Sequence, residues 1–218
     1  IKQISVSETA LTNPKLFPLI VVDHEGGSVQ RLTGSGFTRL PSWQTMCAQP
    51  ATTSAQLLSR SASELAAVGI DVVFAPMIDL ARINPVLGSR ICSDQPSVII
   101  TKANQYMTAM EQVKIQAVFK HFPGIGQTTK DLHTSFDQVE ISPTEAMLYQ
   151  ELLKTYPQSG VMVSHVGVLN QYPDLPCSLS SACVGQITQN YPNNLVFSDA
   201  LEMTSARYQV GTTELKSL

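Results

Sequence analysis

Val113-Lys114-Ile115-Gln116-Ala117-Val118-Phe119-Lys120-His121-Phe122-Pro123-Gly124 is the stretch on which the fold turns. Its apolar run, Val113 to Phe119, predicts a buried strand. The run closes on a cation and an imidazole, then a Pro-Gly turn and a polar loop that ends in Asp131-Leu132-His133. A buried strand ends on Lys-His when those side chains face a solvent-filled cleft. In parallel α/β proteins the ligand sits just beyond the carboxyl ends of the strands. Asp131 and His133 are two residues apart, so an extended segment projects both to one side. A carboxylate beside an imidazole fixes its tautomer and raises its basicity, which suits a general acid/base.

Working outward, the same grammar recurs. Leu19 to Val22 is apolar without alternation, as a parallel strand buried on both faces is, and runs into Asp23-His24-Glu25-Gly26-Gly27. Paired glycines there let the backbone approach something closely. Val72 to Pro76 leads to Asp79, Gly160 to Val163 ends in Ser164-His165, and Leu195 to Phe197 ends in Ser198-Asp199. Helices are predicted over Ser54 to Val68, Ile99 to Gln112, from Ser142-Pro143-Thr144-Glu145 to about Thr155, and Ala182 to Gln189. The quartet at 142–145 is a helix N-terminus, with Ser at the cap, Pro first and Glu three on. Residues 1 to 15 read as the end of a helix and a loop. Alternating strands and helices imply a parallel sheet. Polar residues at the end of every strand point to a TIM-type (β/α)8 barrel, here an incomplete one of about five of eight units. A doubly wound open sheet is the alternative, but no dinucleotide fingerprint or P-loop follows a strand.

Composition bounds the function. The 218 residues are 43% hydrophobic with a net charge of −3, enough for one large core and unsuited to nucleic acid. No apolar run approaches the ~20 residues of a membrane span, and Ile1-Lys2-Gln3-Ile4 does not read as a signal peptide. The four cysteines, Cys47, Cys92, Cys177 and Cys183, show no metal-ligand spacing. Free thiols in a reduced, cytoplasmic setting are the favoured reading, with a Cys177–Cys183 bridge left open. Four histidines on four segments make a poor metal set, which counts against a metal-dependent barrel hydrolase.

The chain resembles glycoside hydrolase family 3, in particular its β-N-acetylglucosaminidase branch of the NagZ type. The resemblance rests on an ordered set of segments: Val22 to Gly27 with Gln30-Arg31; Phe37 to Pro41; Phe74-Ala75-Pro76 with Asp79-Leu80; Gly88-Ser89-Arg90 with Ser93-Asp94; Lys120 to Gly124; Asp131-Leu132-His133; and Phe197 to Leu201 with Met203. It implies a retaining mechanism with Asp199 as nucleophile and His133, oriented by Asp131, as acid/base. It implies sugar binding by Asp23, Arg31, Arg90, Lys120 and His121, no cofactor, and a carbohydrate partner containing N-acetylglucosamine, with peptidoglycan fragments as its source. His24 carries no implied role, and His165 either lines the site or is satisfied in the core. Arg31 with Asp23 could instead form a structural ion pair, and Asp79 could cap a helix. Ile125 stands where the family often has histidine, and Leu132 where serine is commoner. The family barrel begins two strands before Leu19 and continues one strand after Asp199. The expectation is therefore a catalytic domain over 1–218 that lacks its first strands and its last, within a longer polypeptide. Other readings are a family 3 enzyme for another β-glycoside, or an inactive or purely sugar-binding fragment.

Overall fold

The structure, a computed structural model, describes residues 18–169 and 171–207. The expected helix end over residues 1 to 15 lies outside the described residues. Short strands β1 (Val21–Val22), β2 (His24–Gly26) and β3 (Val29–Gln30) open it, followed by helices α1 (Trp43–Ala48) and α2 (Ala51–Ala67). Then come β4 (Val72–Val73), α3 (Pro96–Gln112), β5 (Gln116–Phe122), β6 (Gln138–Val139), α4 (Pro143–Thr155), β7 (Gly160–Val163), β8 (Gly167–Val168), α5 (Ser181–Asn190) and β9 (Leu195–Ser198).

The main sheet has the order β1-β4-β5-β7-β9, and every neighbouring pair is parallel. Spatial order follows chain order, and a helix lies between successive main-sheet strands from α2 onward. That is the arrangement of a barrel, and the sheet curls into a half-barrel. β2 and β3 form a small antiparallel hairpin at the top of β1, and β6 pairs with β8. One apolar layer lies between sheet and helices and includes Leu58, Leu65, Ile99, Tyr106, Phe119 and Leu152. A second, smaller cluster of Val72, Val118 and Met162, with Phe74 and Phe197 edge to face against each other, lines the other face. Each fully buried Leu or Phe contributes roughly 1.5–3 kcal/mol, so the helix-facing layer carries most of the burial. No helix among the described residues is long and apolar enough to cross a membrane.

The strand expected from Val113 begins later and ends later. Val113 caps α3, and Lys114, at φ 62°, turns the chain before β5 starts. β5 runs through Lys120 and His121 to Phe122, so both polar side chains are held by strand rather than loop. The short helix α1 and the β2–β3 hairpin were not legible as such. The paired glycines of the hairpin do approach a neighbour closely: a Cβ on Gly26 (φ 108°) would stand 2.4 Å from the Pro41 carbonyl oxygen, and one on Gly27 2.8 Å from the Ser42 Cα. The neighbour is the chain's own backbone.

The expectation of free thiols is overturned. Cys47 is bonded to Cys92, and Cys177 to Cys183. The first bridge spans 45 residues and ties α1 to the segment just after Arg90. Spacing gave no hint of it, because the two halves meet only once α1 has packed beside the 88–90 turn.

Candidate active site

The ends of β1, β4 and β5 carry a continuous run of buried charge. Lys120 Nζ, on a side chain only 2% exposed, lies 2.9 Å from Asp23 Oδ1 and 2.6 Å from Glu25 Oε1. Glu25 in turn receives both Nε and Nη2 of Arg90, at 2.9 and 2.8 Å. Burial alone would raise the Glu25 carboxyl. Lys120 and Arg90 outweigh it and pull it down to about 2. Arg31 adds a loose pair to Asp23 at 3.7 Å from an exposed side chain. The ion pair considered for those two residues is therefore present at the rim.

The chain of contacts continues into β5. Arg90 Nη2 is 3.3 Å from His121 Nε2, and His121 Nδ1 is 2.8 Å from Asp79 Oδ2. A guanidinium only donates, so His121 Nε2 accepts and Nδ1 carries the proton that Asp79 receives. Asp79 also accepts the His121 and Ile125 backbone N–H groups, at 3.2 and 2.7 Å. It is a clamp on the end of β5, and does not cap a helix. Three carboxylates (Asp23, Glu25, Asp79) thus face three cations (Arg31, Arg90, Lys120), leaving the cluster balanced from its buried centre to the Arg31 rim.

The elements beneath fix these positions. Tyr106 on α3 donates to the His24 carbonyl at 2.8 Å, and Trp43 on α1 donates to the Met77 carbonyl at 2.8 Å. His24 itself is buried beside Ser61, and burial, against the pull of Glu64, lowers its imidazole to about 4. It is a neutral packing residue.

The second half of the site is a loop. Asp131 and His133 are 51% and 69% exposed, and their Oδ1 and Nδ1 atoms are 2.8 Å apart. They do not meet as alternate residues of an extended segment. Asp131 Oδ1 also accepts the His133 backbone N–H at 2.9 Å, and the Asp131 carbonyl accepts from Thr134 and Ser135 N–H. The pair is built by a turn closed by an aspartate side chain. The Asp131 carboxyl is lowered by those two hydrogen bonds from His133, backbone first. Between the two polar residues Leu132 is buried. Its carbonyl and that of His133 accept from Ser205 and Thr204 N–H, at 3.2 and 3.1 Å. The base of the loop is tied by Asp137, which accepts from the Thr129 and Lys130 backbone.

Asp199 follows β9, its backbone N–H bonded to the Val163 carbonyl at 2.9 Å. A cavity of about 120 Å³ gathers Arg90, His121, Asp131, His133 and Asp199. Ile125 and Leu132, the two departures from the family pattern, line the same cavity with Leu87 and Met203, so an apolar pair replaces a polar pair in one place. Asp23, Arg31 and Lys120 reach this group through Glu25 and Arg90. His165 does not line it. It is buried, with Nε2 3.0 Å from the Ala200 carbonyl and Nδ1 2.5 Å from Ser178 Oγ, and so holds the residue after Asp199. Glu25 and Asp79, which bind the site together, lie at strand ends and within segments that carry the family resemblance, but no sequence signal named their partners. A larger cavity of about 670 Å³ lies between α4 and α5, but no carboxylate or imidazole lines it.

The chain is similar to known proteins over most of its length. The glycosyl hydrolase family 3 N terminal domain matches residues 3–217. A beta-hexosaminidase of Thioalkalivibrio sulfidiphilus is 36% identical over 212 residues, covering 90% of this chain and 59% of its own. One from Tolumonas auensis is 32% identical, covering 90% and 61%. The chain therefore spans about three-fifths of the length of these relatives. Among solved structures, a family 3 glycosyl hydrolase from Mycobacterium smegmatis superposes with a TM-score of 0.81 at 26% identity, over 94% of this chain and 65% of that one. A family 3 β-N-acetylglucosaminidase from Paenibacillus gives 0.77 at 28% identity, over 88% and 38%. On the match across nearly its whole length, this chain belongs to glycosyl hydrolase family 3, as a member of its N-terminal domain family.

Proposed function

We propose that the polypeptide carrying this chain is a retaining exo-β-N-acetylglucosaminidase that removes terminal β-linked N-acetylglucosamine, with peptidoglycan fragments as the substrate class. The observation that carries the reading is one cavity shared by a strand-end carboxylate, Asp199, and a carboxylate-oriented imidazole, His133. The hexosaminidase and N-acetylglucosaminidase relatives support the sugar.

In this reading the Asp199 carboxylate attacks the anomeric carbon as the glycosidic C–O bond breaks. His133 transfers its Nε2 proton to the departing oxygen, while Asp131 holds Nδ1–H. In the second step neutral His133 takes a proton from water, the water oxygen attacks the anomeric carbon, and Asp199 leaves as a carboxylate. Asp23, Arg31, Arg90, Lys120 and His121 hold the sugar through its hydroxyls and acetamido carbonyl. Residues 1–218 belong to a catalytic domain whose remaining barrel strands lie elsewhere in the polypeptide, the described residues supplying five strands of the main sheet. The two disulfides support an oxidising location rather than the cytoplasm.

The test is hydrolysis of nitrophenyl N-acetyl-β-glucosaminide by the whole polypeptide and its Asp199→Ala variant. Turnover should fall by roughly three or more orders of magnitude with sugar binding nearly unchanged, and a fluorosugar should label Asp199. Near-normal turnover, or a label on another residue, removes Asp199 as nucleophile.

A further inference from the structure

Glu145 stands third in α4, where Ser142-Pro143-Thr144-Glu145 would be expected to form a reciprocal capping box. Half of that box exists: Ser142 Oγ accepts the Glu145 N–H at 3.1 Å. The Glu145 carboxyl turns the other way, into the protein, where the residue is 1% exposed. Its Oε1 meets the Leu80 N–H only at 3.5 Å, the weak end of a hydrogen bond. The carboxyl presses against Gly124 so closely that a Cβ there would stand 2.2 Å from Oε1.

What surrounds it is anionic or neutral. Asp79 faces it from the segment after β4, and Tyr149 from its own helix, with a buried hydroxyl that has no hydrogen-bond partner. His121 lies beyond Asp79 on β5, with Nδ1 on Asp79 and Nε2 on Arg90. Neither α3 nor any other described element brings a cation within 4.0 Å of Glu145. An ionised carboxylate so placed is penalised by desolvation, which the group escapes by keeping its proton.

We propose that Glu145 is a positioning residue: a neutral carboxylic acid wedged between Asp79 and the turn at 122–124, which keeps Asp79 on His121 as long as it is protonated. Burial first, and the charge of Asp79 second, push its carboxyl up to about 8, against a weak pull from Leu80 N–H. Above that pH a second anion appears beside Asp79. Asp79 then moves off His121 and Ile125, or the wedge swings out, and the end of β5 loses its anchor. Activity falls on the alkaline side. The inference rests on the reading that His121 holds substrate.

The experiment compares the whole polypeptide with Glu145→Gln, which keeps shape and neutrality at every pH. The wild type should lose kcat/KM with an alkaline midpoint near 8. In Glu145→Gln that limb should move up by about one pH unit or more, with neutral-pH kcat/KM within about threefold. An unmoved limb in a folded variant overturns the proposal. Infrared titration of the wild type gives a readout independent of turnover and of the variant's folding. A protonated carboxyl should be present at neutral pH and disappear with a midpoint near 8. Its absence at neutral pH overturns the proposal even if the enzyme is active, and its presence supports the wedge even if the sugar assignment fails.

Discussion

The two halves of the site are built from opposite materials. The half proposed for binding lies on strand ends, with Lys120 and Glu25 buried and every charge answered by another within 4 Å. The half proposed for acid/base work is a turn whose Asp131 and His133 are more than half exposed, anchored by the buried Leu132, by two backbone hydrogen bonds to 204–205 and by Asp137 at its base. The first half is rigid because moving any member strands a charge in a dry place. The second can move, because its polar groups lose little when water replaces a partner. Substrate would thus meet a fixed socket and a proton carrier on an adjustable arm. Mutations should consequently show up as stability losses in the first half and as rate losses in the second.

Glu25→Ala is the strongest way to break that contrast. It leaves Lys120 with one partner and Arg90 without its bidentate acceptor, both largely buried. Removing one partner of such a buried network costs about 3–5 kcal/mol, read by denaturant unfolding. A loss below about 1 kcal/mol would mean that water reaches the network and the socket is not dry. The same residue gives a pH dependence with a definite sign. Its folded carboxyl lies at about 2, below the ordinary 4.5, so the unfolded chain binds the proton first on acidification. The stabilisation is complete above about 4.5 and is lost as pH falls toward about 2. In Glu25→Ala that acid slope should be shallower.

This contrast also explains what could be read from the chain alone. Apolar runs without alternation announce parallel strands, and polar residues at their ends announce the open face, so Asp23, Lys120, His121 and Asp199 were legible. Partners were not. Glu25 is paired because the β1–β4–β5 order sets its strand end near Lys120, and the Arg90 loop is pinned to α1 by Cys47–Cys92. Both facts depend on strand and helix neighbours that no local pattern states. Glu145 was legible as a cap and is one only through its backbone. Its side chain was diverted because Gly124, lacking a Cβ, leaves room for it. Asp131 and His133 were found for a partly wrong reason, since a turn and not an extended segment brings them together.

His133→Ala probes the other half. With the side chain 69% exposed, stability should change by no more than about 0.5 kcal/mol. Hydrolysis of a natural disaccharide-type substrate should fall by about 10²–10⁴-fold, because the departing oxygen must then leave without a proton. An activated nitrophenyl glycoside needs that proton less and should lose far less in its first step. Glycosyl-enzyme should then accumulate, since no base remains to activate water, and azide should restore part of the turnover. Equal losses for both substrates in a folded variant would move the acid/base role elsewhere, with His121 the first alternative to test.

Asp131 should give the smallest effect, and two substitutions divide it. The aspartate does two jobs through one atom: Oδ1 accepts the His133 backbone N–H, which closes the turn, and the Nδ1–H, which selects the tautomer. Asparagine offers a carbonyl oxygen in the same place, so Asp131→Asn keeps turn and tautomer and removes only the charge. That charge faces open water across a half-exposed pair, where its contribution is small. Asp131→Asn should cost about threefold with a poor leaving group, and Asp131→Ala about ten- to thirtyfold, because alanine loses the turn as well. Hydrogen exchange at the His133, Thr134 and Ser135 amides should quicken in Asp131→Ala and stay near wild type in Asp131→Asn. If Asn costs as much as Ala while those amides stay protected, charge rather than geometry governs His133. The loop would then be electrostatically as demanding as the buried socket, and the contrast between the two halves would fail.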